Sequence, residues 1–222
     1  MSHWLKIWTE FFSIRRNVYL FFGNLLFVVA TLHLFTRYLV YNETREGTVV
    51  LNDPLFSYFN AIELDTIAFA LIYIPLITFI IYGSFRPRVL AFAMTTYGLL
   101  VWFRMFAMFV TPLEVPAGMI DLKDPIVFVL GTGQAIQRDL FFSGHTSTLT
   151  ILTLIAFAVH RISSTKIELK ADKYVKYFFM FSLVIVASCV VLQKAHYTID
   201  VFAAPFFAFG AYSVAKKMYG VK

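Results

Sequence analysis

Long unbroken apolar runs organise this chain, not strict alternation or a narrow helical stripe. Six of them, at residues 18–40, 64–82, 89–110, 140–159, 174–192 and 197–219, reach or approach the length needed to cross a hydrocarbon core. That length is about 20 helical residues. Strands of a membrane barrel would instead alternate apolar and polar positions over about 10 residues. The first sixteen residues follow another rule. Trp4, Ile7, Trp8, Phe11 and Phe12 recur at helical spacing, while Lys6 and Glu10 fall off that stripe. This pattern predicts an amphipathic helix lying in the membrane interface. The expected architecture is therefore all-α and polytopic: an interfacial helix over 1–16, then a bundle of six transmembrane helices over 17–222. Pro75 and Pro205 are expected to kink or end the helices that hold them.

Composition agrees with the pattern. Of 222 residues, 59% are hydrophobic, 18% aromatic and only 14% charged. A soluble domain carries about 25% charged residues, so this chain cannot cover a water-facing surface. One cysteine, Cys189, excludes an internal disulfide and a cysteine-based zinc site. The net charge of +6 does not form a basic face, so no nucleic-acid partner is expected. The charges follow topology instead. Arg15, Arg16, Arg86, Arg88, the stretch from Arg161 to Lys176, and Lys216, Lys217 and Lys222 fall on one side of the six runs, whereas most carboxylates fall on the other. The positive-inside rule then puts both termini in the cytoplasm. The connections 41–63, 111–139 and 193–196 face the exterior or a lumen.

Candidate chemistry gathers on that outer side. Ser143-Gly144-His145-Thr146 stands at the entrance of the fourth run. Ser143 suits a helix N-cap, and Gly144 lets another group approach the backbone. The N–H groups of a first helical turn have no partner within the helix and point outward, a ready cradle for phosphate. By itself the motif also fits a capped helix with a histidine at headgroup level. His196-Tyr197-Thr198-Ile199-Asp200 opens the sixth run. His196 and Asp200, four apart, share a helix face. A carboxylate at Nδ1 fixes the imidazole tautomer and leaves Nε2 free to attack or to take a proton. Such a pair can also be a plain interfacial ion pair. Arg104 sits inside the third run, where a guanidinium is costly unless it snorkels or finds an anion. Arg138 and Lys194 flank the two histidine motifs and are further phosphate candidates. No P-loop, dinucleotide fingerprint or histidine-rich run is present, so neither a cofactor nor a metal is expected.

These motifs resemble the sphingomyelin synthase family, within the wider type 2 phosphatidic acid phosphatase superfamily of membrane enzymes. The resemblance rests on S-G-H-T at Ser143–Thr146 and H-Y-T-x-D-V at His196–Val201. Asp139 matches the aspartate four residues before the first motif, although Gln137 and Arg138 replace the family's Cys-Gly. Arg104 and Thr111 fit an arginine and threonine seven apart in its third span. The following Thr111-Pro112-Leu113-Glu114-Val115-Pro116 is similar to its T-x-L-P-V-P, with Glu114 where a proline is usual. Asn52-Asp53-Pro54-Leu55-Phe56 is a fainter echo of the family's first-loop P-L-P-D element.

The resemblance implies a six-helix enzyme that moves a phospho-headgroup from a glycerophospholipid donor to ceramide or a similar lipid alcohol, releasing diacylglycerol. It implies His196 as nucleophile, Asp200 as its orienter and His145 as acid and base. From the residues themselves, Ser143, Gly144, Arg104, Arg138 and Lys194 are the expected phosphate binders, with Asp139, Thr146, Tyr197 and Glu114 in support. A lipid phosphate phosphatase is the main rival. Its pattern places an arginine six residues before the second histidine, where this chain has Val190, and the R-P at Arg86-Pro87 lies on the cytoplasmic side of the expected topology. A lipid-binding protein without catalysis is a third reading, and it has no need of an intact His–Asp pair opposite another histidine.

Overall fold

A computed structural model describes residues 3–122, 124, 136–163 and 169–221. Lys166 and Lys222, part of the charge pattern, lie outside them. All regular structure described is helical: α1 (His3–Phe12), α2 (Arg15–Glu43), a 3-10 turn (Pro54–Ser57), α3 (Asp65–Ser84), α4 (Pro87–Val110), α5 (Gly144–Phe157), α6 (Val159–Ile162), α7 (Asp172–Leu192) and α8 (Thr198–Met218). Five of these, α2, α3, α4, α7 and α8, are long and apolar enough to cross a membrane. Several such helices in one chain define an integral, multi-pass membrane protein.

The fourth expected span differs. Its helix begins only at Gly144, because Ser143 caps it with an extended backbone and Phe141 takes a left-handed φ of 57°. It stops after 14 residues at Ala158, and the one-turn α6 follows. Neither proline ends its helix: α3 runs through Pro75 and α8 through Pro205. In a membrane bundle, neighbouring helices can satisfy the backbone groups a proline frees.

α4 and α5 form the centre. α5 packs on α7, α8, α4 and α3, and α4 packs on α2, α8 and α5. Their buried faces supply Phe92, Leu100, Leu149, Ile151 and Ile155, joined by Phe179 of α7 and Ala204, Ala208 and Ala211 of α8. The small residues on α8 let helices approach closely, which matters where lipid supplies no hydrophobic drive for association. α2 is peripheral and turns Phe22, Leu26 and Val29 outward. Its seat on α4 depends on Gly98, where an added Cβ would lie 2.2 Å from the Phe27 ring. Gly98→Leu is expected to lift α2 from α4 at a cost of about 1–3 kcal/mol, read as a lower unfolding temperature in detergent.

The two ends of the bundle carry different polar groups. At one end Arg86, fully enclosed, holds both carboxylate oxygens of Asp172 at 2.9 and 2.8 Å. Tyr82 donates to the same carboxylate at 2.9 Å, and His160 Nε2 lies 3.2 Å from it. Arg104, eighteen residues further along α4, is about 27 Å away at 1.5 Å per residue and belongs to the other end. There the connecting segments form a cap. Val49 and Leu113 make a single parallel bridge, with Val49 N–H to Pro112 O at 2.9 Å and Glu114 N–H to Val49 O at 3.0 Å.

Candidate active site

The second histidine is held by a tight turn between α7 and α8. Gln193 is fully buried and acts as its anchor: its amide donates to Asp65 Oδ1 at 2.5 Å and accepts from Leu64 N–H at 3.1 Å, while its carbonyl accepts from Ile120 N–H at 3.1 Å. Lys194 takes a left-handed φ of 54°, and the N–H groups of Ala195 and His196 both point back to Val190 O. α8 then starts at Thr198, whose N–H meets Asp53 Oδ2 at 2.7 Å. This registers Asp200 in the first turn, where the helix dipole favours its charge. Asp200 Oδ2 lies 3.4 Å from His196 Nδ1 and accepts Tyr197 N–H at 3.2 Å. Both residues are buried, Asp200 completely. Nε2 of His196 meets no protein partner among the described residues.

The first histidine comes from the start of α5. Ser143 Oγ accepts Thr146 N–H at 3.3 Å and the Thr146 hydroxyl at 3.1 Å. Ser143 N–H donates to Asp200 O at 3.0 Å, which ties the start of α5 to the first turn of α8. The N–H groups of Gly144 and His145 have no protein acceptor among the described residues. The imidazoles of His145 and His196 face one another, ring centroids 6.2 Å apart and planes at 65°. One tetrahedral phosphoryl group can reach both: a bond to one nitrogen and a hydrogen bond of about 2.8 Å to the other span that gap.

Arg104 closes the same site. Its Nη2 pairs with Asp139 Oδ1, its guanidinium lies 5.2 Å from the Phe35 ring centre, and only 7% of the residue is exposed. Its Nη1 stands where a side chain on residue 144 would begin, since a Cβ there would be 2.1 Å away. Glycine at 144 is thus required by the close approach of a guanidinium, not by backbone twist. Nη1 and Nε of Arg104 carry no protein acceptor among the described residues.

The structure brings together His145, His196, Asp200, Ser143, Gly144, Thr146, Arg104 and Asp139. It gives Arg138 and Lys194 other partners. Four N–H donors of Arg138 are committed: two to Glu114, at 3.0 and 2.7 Å, and one each to the carbonyls of Glu43 and Arg45. Lys194 Nζ donates to Phe56 O at 2.8 Å and lies 5.4 and 5.3 Å from the Phe56 and Phe59 ring centres. Tyr197 braces the cap, donating to Glu114 O at 2.9 Å and accepting Leu51 N–H at 3.2 Å. These residues brace the cap, whereas Arg104 stands beside the first turn of α5.

The strap between Glu114 and Arg138 carries a pH signature. Desolvation pushes the Glu114 carboxyl up, but the Thr48 hydroxyl, the Val115 N–H and the Arg138 fork outweigh it and hold it below its ordinary range. A carboxyl lowered in the folded state contributes stability above its unfolded pKa and loses it as pH falls through the lowered folded value. Wild type is expected to unfold at a higher temperature than Glu114→Gln at about pH 7, with the gap narrowing toward about pH 4. A gap independent of pH would mean the strap carries no net charge effect.

Some neighbours carry no sequence signal. Asp124 Oδ2 lies 3.6 Å from His145 Nε2, and the Tyr73 hydroxyl donates to the other oxygen of that carboxylate. Phe69 stands edge-on to His145 at 6.1 Å. Asp124 belongs to a connection without periodicity, and Phe69 and Tyr73 look like any apolar helix residues until α3 packs beside α5. Among the described residues no group of three His, Cys, Asp or Glu side chains is placed to hold a metal ion.

The fold and this site together describe a multi-pass membrane protein with two facing histidines at one end of its bundle. Residues 138–217, which carry both histidines, match the family described as PAP2 superfamily C-terminal. The match supports the type 2 phosphatidic acid phosphatase superfamily, and with it an enzyme of lipid substrates, phosphatase or phosphotransferase. No curated protein matches the chain.

Proposed function

We propose that the chain is a phospholipid headgroup transferase, similar to sphingomyelin synthases, that works through a phospho-histidine. The observation that carries this reading is the facing pair itself: the two imidazoles stand 6.2 Å apart, with Asp200 at Nδ1 of His196, which leaves Nε2 for attack, and Asp124 at Nε2 of His145. In the first step Nε2 of His196 attacks phosphorus. The N–P bond forms, the bond to the glyceride oxygen breaks, and His145 gives that oxygen a proton, releasing diacylglycerol. In the second step His145 takes the proton of an incoming lipid alcohol, here ceramide or a chemical relative. The new O–P bond forms and the N–P bond breaks. Acid in one step and base in the next is the role an imidazole fills near neutral pH. Arg104 Nη1 and the N–H groups of Gly144 and His145 stabilise charge on the phosphoryl oxygens, and preorganised donors of this kind are worth most in a dry site. Asp124 Oδ2, 3.6 Å from Nε2 of His145, sets a carboxylate beside the acid–base histidine.

The topology belongs to the same proposal. Six crossings, with α5 as the short fourth, put both termini in the cytoplasm and the histidines at the exterior or lumenal rim. Donor and acceptor lipids then come from that leaflet, and apolar surroundings favour a second lipid alcohol over water. Against the phosphatase, Val190 is a fully buried core residue, so no arginine serves the site from there, and Arg86 is bound to Asp172 at the far end. The test uses purified protein and headgroup-labelled phosphatidylcholine or phosphatidylethanolamine, with and without ceramide. Label moving to a new lipid only when ceramide is present supports transfer. Phosphate released from phosphatidic acid at a comparable rate contradicts it and identifies the phosphatase.

A further inference from the structure

A cavity of about 400 Å³ opens at the end of the bundle opposite the histidines. Its roof is α1, with Lys6, Ile7, Glu10 and Phe11, and its floor is the start of α4 at Pro87 and Arg88. The roof is fixed in place. Trp8 donates from its indole nitrogen to Ser84 O at 2.9 Å and packs edge-on against Phe21 at 5.2 Å, while Ile7 is buried beneath it. The cavity therefore lies beneath an amphipathic helix whose exposed Trp4 and Leu5 suit a membrane interface.

Its lining combines apolar side chains with three cations, Lys6, Arg86 and Arg88, and one carboxylate, Glu10. Ile7, Phe11, Ile14 and Pro87 make the apolar part. Among the cations, Arg86 is matched by Asp172. Lys6 meets Glu10 only at 4.0 Å, with both side chains about two-thirds exposed (67% and 68%), a pair of little strength in water. Arg88 donates one N–H to Tyr219 O at 3.0 Å and has no carboxylate partner among the described residues. A partly buried guanidinium beside greasy walls is costly without a counter-charge, and an anion with an apolar body supplies one. We propose that this cavity binds the phosphate-bearing headgroup of an anionic membrane lipid, with Arg88 and Lys6 on the phosphate and the acyl chains along Ile7, Phe11 and Ile14. The site is independent of the histidine chemistry.

The test titrates full-length protein in detergent with dihexanoyl phosphatidylglycerol, dihexanoyl phosphatidylcholine and inorganic phosphate. Phosphatidylglycerol is expected to bind wild type tighter than a Lys6→Gln/Arg88→Gln variant by about ten-fold or more, the effect of two interfacial cations. Lys6→Gln alone, a change at an exposed position, is expected to lose part of that affinity with unchanged thermal stability. Arg15→Gln/Arg16→Gln removes the same charge from exposed positions outside the cavity and is expected to bind like wild type. Phosphatidylcholine is expected to bind weakly and equally to all variants. Unchanged affinity in the Lys6/Arg88 variant, or an equal loss in the Arg15/Arg16 variant, would overturn the site. Inorganic phosphate binding as tightly as the lipid would overturn the lipid as its ligand.

Discussion

On the proposed mechanism, His196→Ala is expected to lower headgroup transfer by at least about a thousand-fold, because it would remove the atom that forms the covalent intermediate. The variant is expected to remain folded and to bind donor lipid. His196 is 4% exposed, and the turn that carries it is held by the Gln193 side chain and by main-chain bonds to Val190. Measured transfer rates beside donor binding in the same preparation separate the two effects. His145→Ala is a useful contrast, since an alcohol acceptor of low pKa can replace part of an acid–base function but not a missing nucleophile.

Gly144→Ala, a change of one methyl group, is expected to cost about a hundred- to a thousand-fold in transfer, the range for losing a donor aimed at developing charge. The methyl carbon would lie 2.1 Å from Arg104 Nη1 and 2.4 Å from its Cζ. The guanidinium must therefore leave its place beside residue 144, pulling against Asp139 and Phe35. Gly144 is the first residue of α5, so the alanine preference of helix interiors, about 1 kcal/mol, acts only weakly here. A large fall in rate with little change in unfolding temperature is the expected pair of results. Full activity in Gly144→Ala would show that Arg104 need not stay where the fold puts it.

Much of this molecule is written locally, and the remainder comes from how distant segments meet. Five long helices follow from apolar runs alone, with ends shifted by a few residues where charge begins, as at Arg15 and Asp172. The fourth run is longer than its helix, because apolar content continues from Leu140 to Val159 while the helix runs only from its cap at Ser143 to Phe157. His196 and Asp200 are readable as a pair because their spacing is that of one helix face. Ser143 and Gly144 are readable as a helix start, but the guanidinium that fills the place of a side chain at 144 is not, because α4 brings it from forty residues away. Arg138 shows the converse: it sits beside Asp139 in sequence, yet Glu114 and two carbonyls claim its donors. Asp124 enters only through tertiary packing against α3 and α5.

The most direct measurement is on the covalent intermediate. Enzyme mixed with headgroup-labelled donor lipid and no acceptor, then quenched rapidly in base, is expected to carry the phospho-headgroup on Nε2 of His196. The linkage should be labile to acid, absent from His196→Ala, and discharged on adding ceramide with formation of the headgroup-bearing product. A protein that turns over donor and acceptor while its His196 stays unlabelled, or that carries the label on another residue, would contradict the account.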